Sequence, residues 1–400
     1  MDTNLAVLLK PGREKSVRQH HPWIFSGAIR DVRGAPEPGE TVDVLSHDGA
    51  WLARGAYSPA SQIRVRVWSW SEDDAIDAGF FERGLSRAKE ARSALAERTD
   101  AMRLVHAEND GLPGLIVDRY GEWIVVQSLS AGAERWLDTI VTWLARLPGV
   151  RGVYERSDAD VREKEGLPVR VGLRVGEEPP PELVIREGEW RFAVDLRRGH
   201  KTGFYLDQRE SRRAVCEMVG RCARGGRVLN AFAYSGSFAV AALAGGAREV
   251  VNVDSSGEAL LLARRNYELN AHAAAEASFV EEDVFGFLRR MRDVGVTFDM
   301  VILDPPKFAH STADVMRATR AYKDINWLAF RLVRPGGCVV SFSCSGLVSA
   351  DLFQKVLFGA AEDAGRQVQI VGRLGQPEDH PVRLSFPEGA YLKGLVMRVE

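Results

Sequence analysis

The chain has 400 residues, of which 45% are hydrophobic and 27% are charged, and its formal net charge at pH 7 is −2. A chain of this length exceeds one typical hydrophobic core, so we expect an ordinary soluble globular protein with two or three domains. The nearly balanced charge does not indicate a nucleic-acid partner and does not exclude one, because a neutral total can contain a local basic face.

The four cysteines have neither the spacing of zinc ligands nor the density of a disulfide scaffold, which is typical of a reducing cytosol. They are Cys216, Cys222, Cys338 and Cys344. The apolar run at the N-terminus ends at Lys10 and is too short for a signal peptide or a membrane span. We therefore expect a cytoplasmic protein with no metal site and no membrane partner.

Residues 1–72 contain short β-type runs, such as "TVDVLS" and "IRVRVWSW", separated by turns rich in glycine and proline. This pattern predicts a small all-β barrel. Strict alternation in "IRVRVW" puts Arg64 and Arg66 on one face of a strand. A solvated sheet face is the simpler interpretation of these arginines, while basic residues beside aromatic ones also allow RNA contact.

Residues 73–184 predict a central α+β domain. A helical segment covers about 75–98, three strands follow, and "AERWLDTIVTWLARL" predicts a helix before the strand "GVYERS". The segment "EEPPPEL" (177–183) is the best candidate for a linker, because its three prolines cannot lie inside a helix or a central strand.

Residues 185–400 predict an α/β domain with a mostly parallel sheet covered by helices on both faces. The predicted strands are "RVLNAF", "EVVNVD", "ASFVEED", "FDMVILD" and "CVVSFSC". In sheets of this kind, ligands bind outside the carboxyl ends of the strands.

Four of these strands end in a polar or reactive residue. The first runs through Tyr234-Ser235-Gly236 into a helix and lacks the GxGxxG fingerprint, which disfavours a nicotinamide cofactor. Asp254 suits the hydroxyls of a ribose, Asp283 an adenine amine, and Asp304 opens the motif "DPPKF". Each acid alone could simply cap the next helix. As an ordered set they resemble the class I S-adenosylmethionine-dependent methyltransferases, and "DPPKF" resembles the members that methylate nucleobases.

The fifth strand places Cys338, Phe342 and Cys344 on one face, and only Cys344 lies at the carboxyl end, beside Asp304. The simpler role for this cysteine is that of a small buried hydrophobe. As a thiolate it could add to C6 of cytosine, which makes C5 nucleophilic enough to take a methyl group. A protonated Asp304 could serve as the donor at N3 of the base. Methylation of an adenine or guanine amine needs no thiol.

Three longer stretches narrow the resemblance. They are "HPWIFSGAI", similar to the start of a PUA RNA-binding domain, "GHKTGFYLDQRESR" (199–212), and "GQPEDHPVRLSFPEGAYLKGL" near the end. The last two closely resemble the bacterial 23S rRNA cytosine-C5 methyltransferases of the RlmI type, and the resemblance covers essentially the whole chain. It implies a PUA-like domain, a central domain and a Rossmann-like methyltransferase domain, 23S rRNA as partner, and a possible homodimer.

The resemblance also implies the roles of individual residues. Cys344 would be the nucleophile and Asp304 would hold the cytosine. The residues implied to bind S-adenosyl-L-methionine are Asp207, Gln208, Asn230, Phe232, Tyr234, Gly236, Asp254, Asp283 and Asp304. Related RNA cytosine-C5 enzymes carry a second cysteine in the fourth-strand motif, whereas this chain has Pro306 and Lys307 there, so the base that removes the C5 proton is unassigned.

Basic residues around the 199–212 motif and on the N-terminal strand are the predicted RNA contacts, with a solvated surface as the alternative. The residues are Arg64, Arg66, Arg197, Arg198, Lys201 and Arg209. The substrate could be naked 23S rRNA or an assembling large subunit. Two alternative functions stay open: an rRNA guanine-N2 methyltransferase in which Cys344 is structural, and a non-catalytic RNA-binding assembly factor.

Overall fold

A computed structural model describes residues 5–270, 276–309 and 311–400 of the chain. The chain forms two compact units, each made of three segments. The first unit consists of Met1–Gly188, Val194–Leu206 and Glu378–Gly389. The second unit consists of Glu189–Ala193, Asp207–Pro377 and Ala390–Glu400. The predicted domains 1–72 and 73–184 both fall within the first unit.

The first unit begins with a sheet of six described strands. These are β1 (Ala6–Leu9), β2 (Trp23–Phe25), β3 (Ile29–Arg33), β4 (Thr41–Leu45), β5 (Trp51–Tyr57) and β6 (Ile63–Ser69). Their order is β2-β6-β5-β4-β1-β3, with β1 and β4 parallel and the other pairs antiparallel. A short helix, α1 (Lys15–Arg18), follows β1. Alternating valines, such as Val65 and Val67, fill the interior, which confirms the predicted all-β unit.

The rest of the first unit is an α+β arrangement, as predicted. Its elements are α2 (Ala78–Glu90), β7 (Ala101–His106), β8 (Leu115–Tyr120), β9 (Trp123–Ser128), α3 (Ala131–Arg135), α4 (Leu137–Leu144), β10 (Gly152–Ser157), α5 (Val161–Lys164), β11 (Arg170–Gly176) and β12 (Leu183–Glu187). The five strands β7 to β11 form a sheet in the order β11-β10-β9-β8-β7. Strand β11 was not predicted, because its valines are separated by arginine and glycine and stay largely exposed.

The second unit is an α/β sheet with helices on both faces. Its elements are β13 (Trp190–Val194), α6 (Arg209–Cys222), β14 (Arg227–Ala231), α7 (Ser237–Ala244), β15 (Glu249–Asp254), α8 (Gly257–Leu269), β16 (Glu276–Glu281), α9 (Val284–Asp293), β17 (Phe298–Leu303), α10 (Val315–Leu332), β18 (Val333–Ser343), α11 (Ala350–Ala364), β19 (Val368–Leu374) and β20 (Lys393–Val399). The seven described strands of its sheet have the order β16-β15-β14-β17-β18-β20-β19.

The five predicted strands of this sheet are confirmed and run parallel, from β16 through β18. Strands β19 and β20 add an antiparallel edge that was not predicted. Alternate residues along each strand enter two separate apolar cores. Leu229 packs on the face of α9, α10 and α11, whereas its neighbour Val228 packs on the face of α6 and α7. Among the described residues, no helix has the length and apolar character needed to cross a membrane.

Candidate active site

The strand order reverses at β14, because β15 and β16 lie on one side of it and β17 and β18 on the other. A crevice for ligands forms outside the carboxyl ends at such a switch point. The loop after β14, Asp254 at the end of β15, Asp304 after β17 and Cys344 after β18 all lie at this edge. The structure therefore brings the predicted strand-end residues to one edge of one sheet.

The loop after β14 has an unusual backbone. Phe232, Tyr234 and Gly236 all adopt positive φ angles, of 60°, 44° and 67°. For the two aromatic residues this conformation costs about 1–3 kcal/mol each, and such strain is concentrated at functional sites. A side chain at position 236 would bring its Cβ within 2.8 Å of the Ala263 Cβ, so only glycine fits. The backbone N–H of Tyr234 donates to Oδ2 of Asp254 over 2.8 Å and fixes the loop to the end of β15.

Two buried acceptor atoms near the strand ends suit a polar ligand. Asn230 donates through Nδ2 to Asn252 over 2.9 Å, while its Oδ1 has no partner among the described residues. Oε1 of the buried Gln208 likewise has no partner within the described part of the chain. A buried acceptor without a donor costs about 1–3 kcal/mol, so a ligand bearing amine and hydroxyl donors would be favoured here. Asp207, beside them, accepts from the Tyr391 hydroxyl over 2.6 Å.

The two acids predicted to hold ribose and adenine already accept hydrogen bonds from nearby backbone N–H groups. Oδ1 of Asp254 accepts the backbone N–H of Ser256 over 3.0 Å, in addition to the loop contact at Oδ2. Asp283 caps α9 by accepting the backbone N–H of Gly286 over 2.8 Å, which is the simpler role that the sequence left open. A carboxylate oxygen accepts more than one hydrogen bond, so capping leaves room for ligand hydroxyls or amines.

Cys344 is half-buried and lies directly after β18. It packs with Phe342 and Val340 against the core on the α6 and α7 face, as the alternation predicted. Cys338, on the same face, is 1% exposed and lies in the middle of the strand, away from its carboxyl end. The structure thus separates one accessible thiol at the site edge from one enclosed thiol in the core.

Sequence analysis missed two residues close to Cys344. Lys393 pairs with Ser343 in the β18–β20 ladder, and its Nζ donates to the carbonyl of Ser345 over 2.7 Å. Burial lowers the pKa of Lys393 to about 8, and the charge of a Cys344 thiolate acts in the opposite direction. The only signal in the sequence is a lysine placed within the apolar run "YLKGLVM".

Tyr322, on α10, is the second missed residue. It is fully buried, and its hydroxyl lies 3.3 Å from Oγ of Ser345. Burial raises the pKa of Tyr322, hydrogen bonds to Ser343 and Ser345 oppose that rise, and the charges of Cys344 and Asp304 add to it. This tyrosine therefore stays protonated and shares the electrostatic surroundings of both predicted catalytic residues.

Two predicted RNA contacts are not presented to solvent. Arg66 is 5% exposed, and its guanidinium bonds to Glu108 over 3.0 Å and to Glu165 over 2.9 Å. Arg209 is 3% exposed at the start of α6. A buried charge must be paired or hydrogen-bonded, which explains why alternation along a strand did not make Arg66 a surface residue. We therefore do not propose Arg66 or Arg209 as RNA contacts.

The other four predicted RNA contacts retain exposed surface. Arg64 is half-exposed and donates to the Pro59 carbonyl, and Arg197 donates through Nε to the Pro179 carbonyl over 3.0 Å. Arg198 and Lys201 are exposed, and the Lys201 ammonium lies 4.4 Å from the centre of the Tyr205 ring. Across 5–270, 276–309 and 311–400, no group of three or more histidine, cysteine or acidic side chains is placed to hold a metal ion.

Comparison with known proteins shows which family this chain resembles. A family model described as S-adenosylmethionine-dependent methyltransferase matches residues 172–398, and one described as PUA-like domain matches residues 7–70. A protein of Erwinia tasmaniensis named Ribosomal RNA large subunit methyltransferase I is 51% identical over 395 residues, which cover 98% of this chain and 99% of that protein. The protein of the same name from Escherichia coli O139:H28 is 49% identical over 398 residues, covering 99% and 100%.

Solved structures share the fold. A chain from Streptococcus mutans, described as a SAM-dependent methyltransferase, superposes with a TM-score of 0.84 at 21% identity, covering 98% of this chain and 100% of that chain. Another methyltransferase structure, complexed with SAH, superposes with the same TM-score of 0.84 at 22% identity and covers the same shares of the two chains, 98% and 100%. At these identities the likeness concerns the fold.

Proposed function

This chain belongs to the ribosomal RNA large subunit methyltransferase I family of S-adenosylmethionine-dependent enzymes, and we propose that it methylates C5 of a cytidine in 23S rRNA. The observation that carries the proposal is the position of Cys344, a half-buried thiol at the carboxyl end of β18, next to β17, which Asp304 directly follows. Methylation of an amine has no use for a thiol at this place, whereas methylation of cytosine C5 requires one.

The residues present fit the cofactor. S-adenosylmethionine, when bound, supplies a methyl group on a sulfonium, which is the electrophile for an activated carbon. The backbone of the loop from Phe232 to Gly236 would approach it closely at Gly236, which has no side chain. The acceptor oxygens of Asn230 and Gln208 would receive donors from it. Asp254 would accept the ribose hydroxyls.

Cys344 supplies the covalent step. Its thiolate forms a bond to C6 of cytosine, and the electrons of the C5–C6 double bond move into the ring and make C5 nucleophilic. After C5 has been methylated, loss of the C5 proton and cleavage of the sulfur–C6 bond restore the aromatic ring and return the thiolate. Asp304, when protonated, would donate to N3 and stabilise the charge that develops in the ring. The net change replaces one hydrogen on C5 by a methyl group and releases one proton.

Exposed cations would hold the rRNA. Arg64, Arg197, Arg198 and Lys201 retain exposed surface and would contact phosphates, so affinity should fall as salt rises. The target base lies in a stack or helix in most RNA contexts and must be splayed out before C5 and C6 can reach a strand-end pocket.

The test is methyl transfer to unmodified 23S rRNA with a labelled donor, followed by digestion to nucleosides and mass spectrometry. We expect 5-methylcytidine from the native chain and none from Cys344→Ala. Cys338→Ala is the matched control, because this thiol lies in the same strand away from the strand-end site and should leave the product unchanged. A methylated guanosine from the native chain would overturn the proposal.

A second assay detects the covalent bond itself. In RNA carrying 5-fluorocytidine at the target, fluorine replaces the C5 proton and cannot be eliminated, so the sulfur–C6 bond should persist. We expect a protein–RNA band that survives denaturing electrophoresis, and we expect Cys344→Ala to abolish it.

One observation favours guanine-N2 methylation as a second candidate. Cys344 packs against the same apolar core as Phe342, as a purely structural cysteine would. In that case Cys344→Ala would leave turnover of guanosine nearly unchanged, and the nucleoside analysis above separates the two functions in one experiment.

A further inference from the structure

We propose that Lys393 is a positioning residue that stabilises the thiolate form of Cys344. The inference rests on the proposed function, in which Cys344 is the nucleophile, and it assigns the cation that this nucleophile needs. A thiol is only weakly ionised at neutral pH, and reactive cysteines lie beside a cation or a donor network.

The fold holds Lys393 against the two residues that flank Cys344 in the chain. In the antiparallel ladder of β18 and β20, Lys393 lies opposite Ser343, the residue before Cys344. Its Nζ donates to the carbonyl of Ser345, the residue after Cys344, over 2.7 Å. The strand pairing fixes the backbone of Lys393, and the hydrogen bond holds the end of a long side chain that normally projects into solvent.

Among the described residues, no carboxylate forms a hydrogen bond or ion pair with Lys393. Within residues 5–270, 276–309 and 311–400 its hydrogen bond goes to a backbone carbonyl, and the charge that acts on it is that of Cys344. Most buried lysines are paired with an acid, since removing an ammonium from water is costly. The half-buried ammonium of Lys393 is therefore offset by a backbone carbonyl and by the charge of Cys344 rather than by an acid.

Three titratable side chains share the surroundings of this pair. Lys393 comes from β20, Tyr322 from α10, and Asp304 follows β17. Tyr322 stays neutral because burial raises its pKa, and an ionised Asp304 would oppose the thiolate. Lys393 is thus the group of this set whose charge favours an anionic sulfur. The proton that Cys344 loses passes to solvent.

The experiment measures alkylation of Cys344 by iodoacetamide as a function of pH, without RNA or cofactor, with each cysteine-containing peptide quantified by mass spectrometry. Lys393→Gln keeps a hydrogen-bond donor but removes the charge, and Lys393→Arg keeps the charge. We expect Lys393→Gln to slow alkylation of Cys344 about tenfold at pH 7.5 and to raise the midpoint of its pH profile. Lys393→Arg should restore most of the rate. Cys216, half-buried on α6, is the internal control and should react equally in all variants.

An unchanged pH profile of alkylation in folded Lys393→Gln would overturn the inference, because it would show that the lysine only forms a hydrogen bond to the backbone. If that variant does not fold, the reciprocal measurement decides. Removal of the thiol in Cys344→Ala should make Lys393 less readily protonated, so its acylation at pH 8 should become faster, and an unchanged rate would also overturn the inference. Neither readout uses methyl transfer, so a failure here is distinct from a failure to form 5-methylcytidine.

Discussion

Gln208 and Asp304 are joined by a hydrogen bond in which Nε2 of Gln208 donates to Oδ2 of Asp304 over 3.1 Å. Gln208 directly precedes α6 and Asp304 directly follows β17, so 96 positions of sequence separate the two residues. The bond ties the motif "YLDQR" to the strand end that carries the predicted cytosine-holding carboxylate. This hydrogen bond therefore links a residue predicted to bind the cofactor to the carboxylate predicted to hold the cytosine.

Gln208→Ala should lower kcat/KM for methyl transfer about tenfold, because Asp304 loses the donor that orients its carboxylate and Gln208 loses its own acceptor for the cofactor. Gln354→Ala is the matched control. Gln354 is an exposed glutamine of the same unit that bonds only to Arg373 among the described residues, and its removal should leave the rate unchanged. Equal rates for the two variants in a steady-state assay would contradict a role for the Gln208–Asp304 contact.

The sequence predicted the parallel part of the sheet well, since apolar runs such as that of Val250 and Val251 are long and end in polar residues. It could not predict the antiparallel pairing of β20 with β18, which brings Lys393 next to the segment around Cys344. Contacts of this kind join residues far apart in the chain, and local periodicity carries no information on them. Strand β20 escaped prediction for the same reason.

At Arg66 the sequence predicted the strand correctly but not the burial of its arginine face. Alternation in "IRVRVW" correctly described a strand but not what covers each face, and the arginine face is covered from within the same unit by the carboxylates of Glu108 and Glu165. Period-2 patterning assumes that one face of a strand meets water. A charged residue on a strand buried on both sides needs ionic partners, and those partners lie in distant segments of the chain.

Arg66→Met should therefore destabilise the protein by about 3–5 kcal/mol, because it leaves Glu108 and Glu165 buried without their cation. Arg64→Met, two positions away on the half-exposed part of the strand, should cost less than about 1 kcal/mol. Urea unfolding followed by circular dichroism measures both. A similar small loss in the two variants would show that the ion pairs of Arg66 contribute little.

Arg198 and Lys201 are exposed cations in the motif region, and their replacement by alanine should weaken rRNA binding without changing its sequence preference. Each removed phosphate contact should reduce the slope of log Kd against log salt by roughly 0.7–0.9. Lys355→Ala provides the control, because this exposed lysine pairs with Asp351 within α11 and has no proposed RNA role. Fluorescence titration of labelled rRNA fragments between 50 and 200 mM salt, a range in which such slopes are pronounced, would measure the effect. An unaltered slope in the double variant would exclude both residues as phosphate contacts.

His106 belongs to a buried polar cluster in the first unit. Its ring lies 5.1 Å from the ring of His380, and its Nδ1 is 3.3 Å from the guanidinium of Arg103. Burial, followed by the positive charges of Arg103, His380 and Arg92, lowers the pKa of His106 to about 2. The folded protein therefore keeps this histidine neutral around neutral pH and in mild acid.

Stability should accordingly fall in mild acid. The unfolded chain binds a proton at His106 near the ordinary pKa of about 6.5, whereas the folded chain does not until pH falls to about 2. Between these values the unfolded state holds the extra proton, so the free energy of unfolding decreases as pH falls, by about 1.5 kcal/mol from pH 6.5 to pH 5.0 for this one group. His106→Gln keeps an acceptor for Arg103 and removes the titration, so its loss of stability over the same interval should be smaller by that amount. Urea unfolding of both chains at the two pH values measures the difference, and parallel pH dependence would mean that His106 becomes protonated in the folded protein.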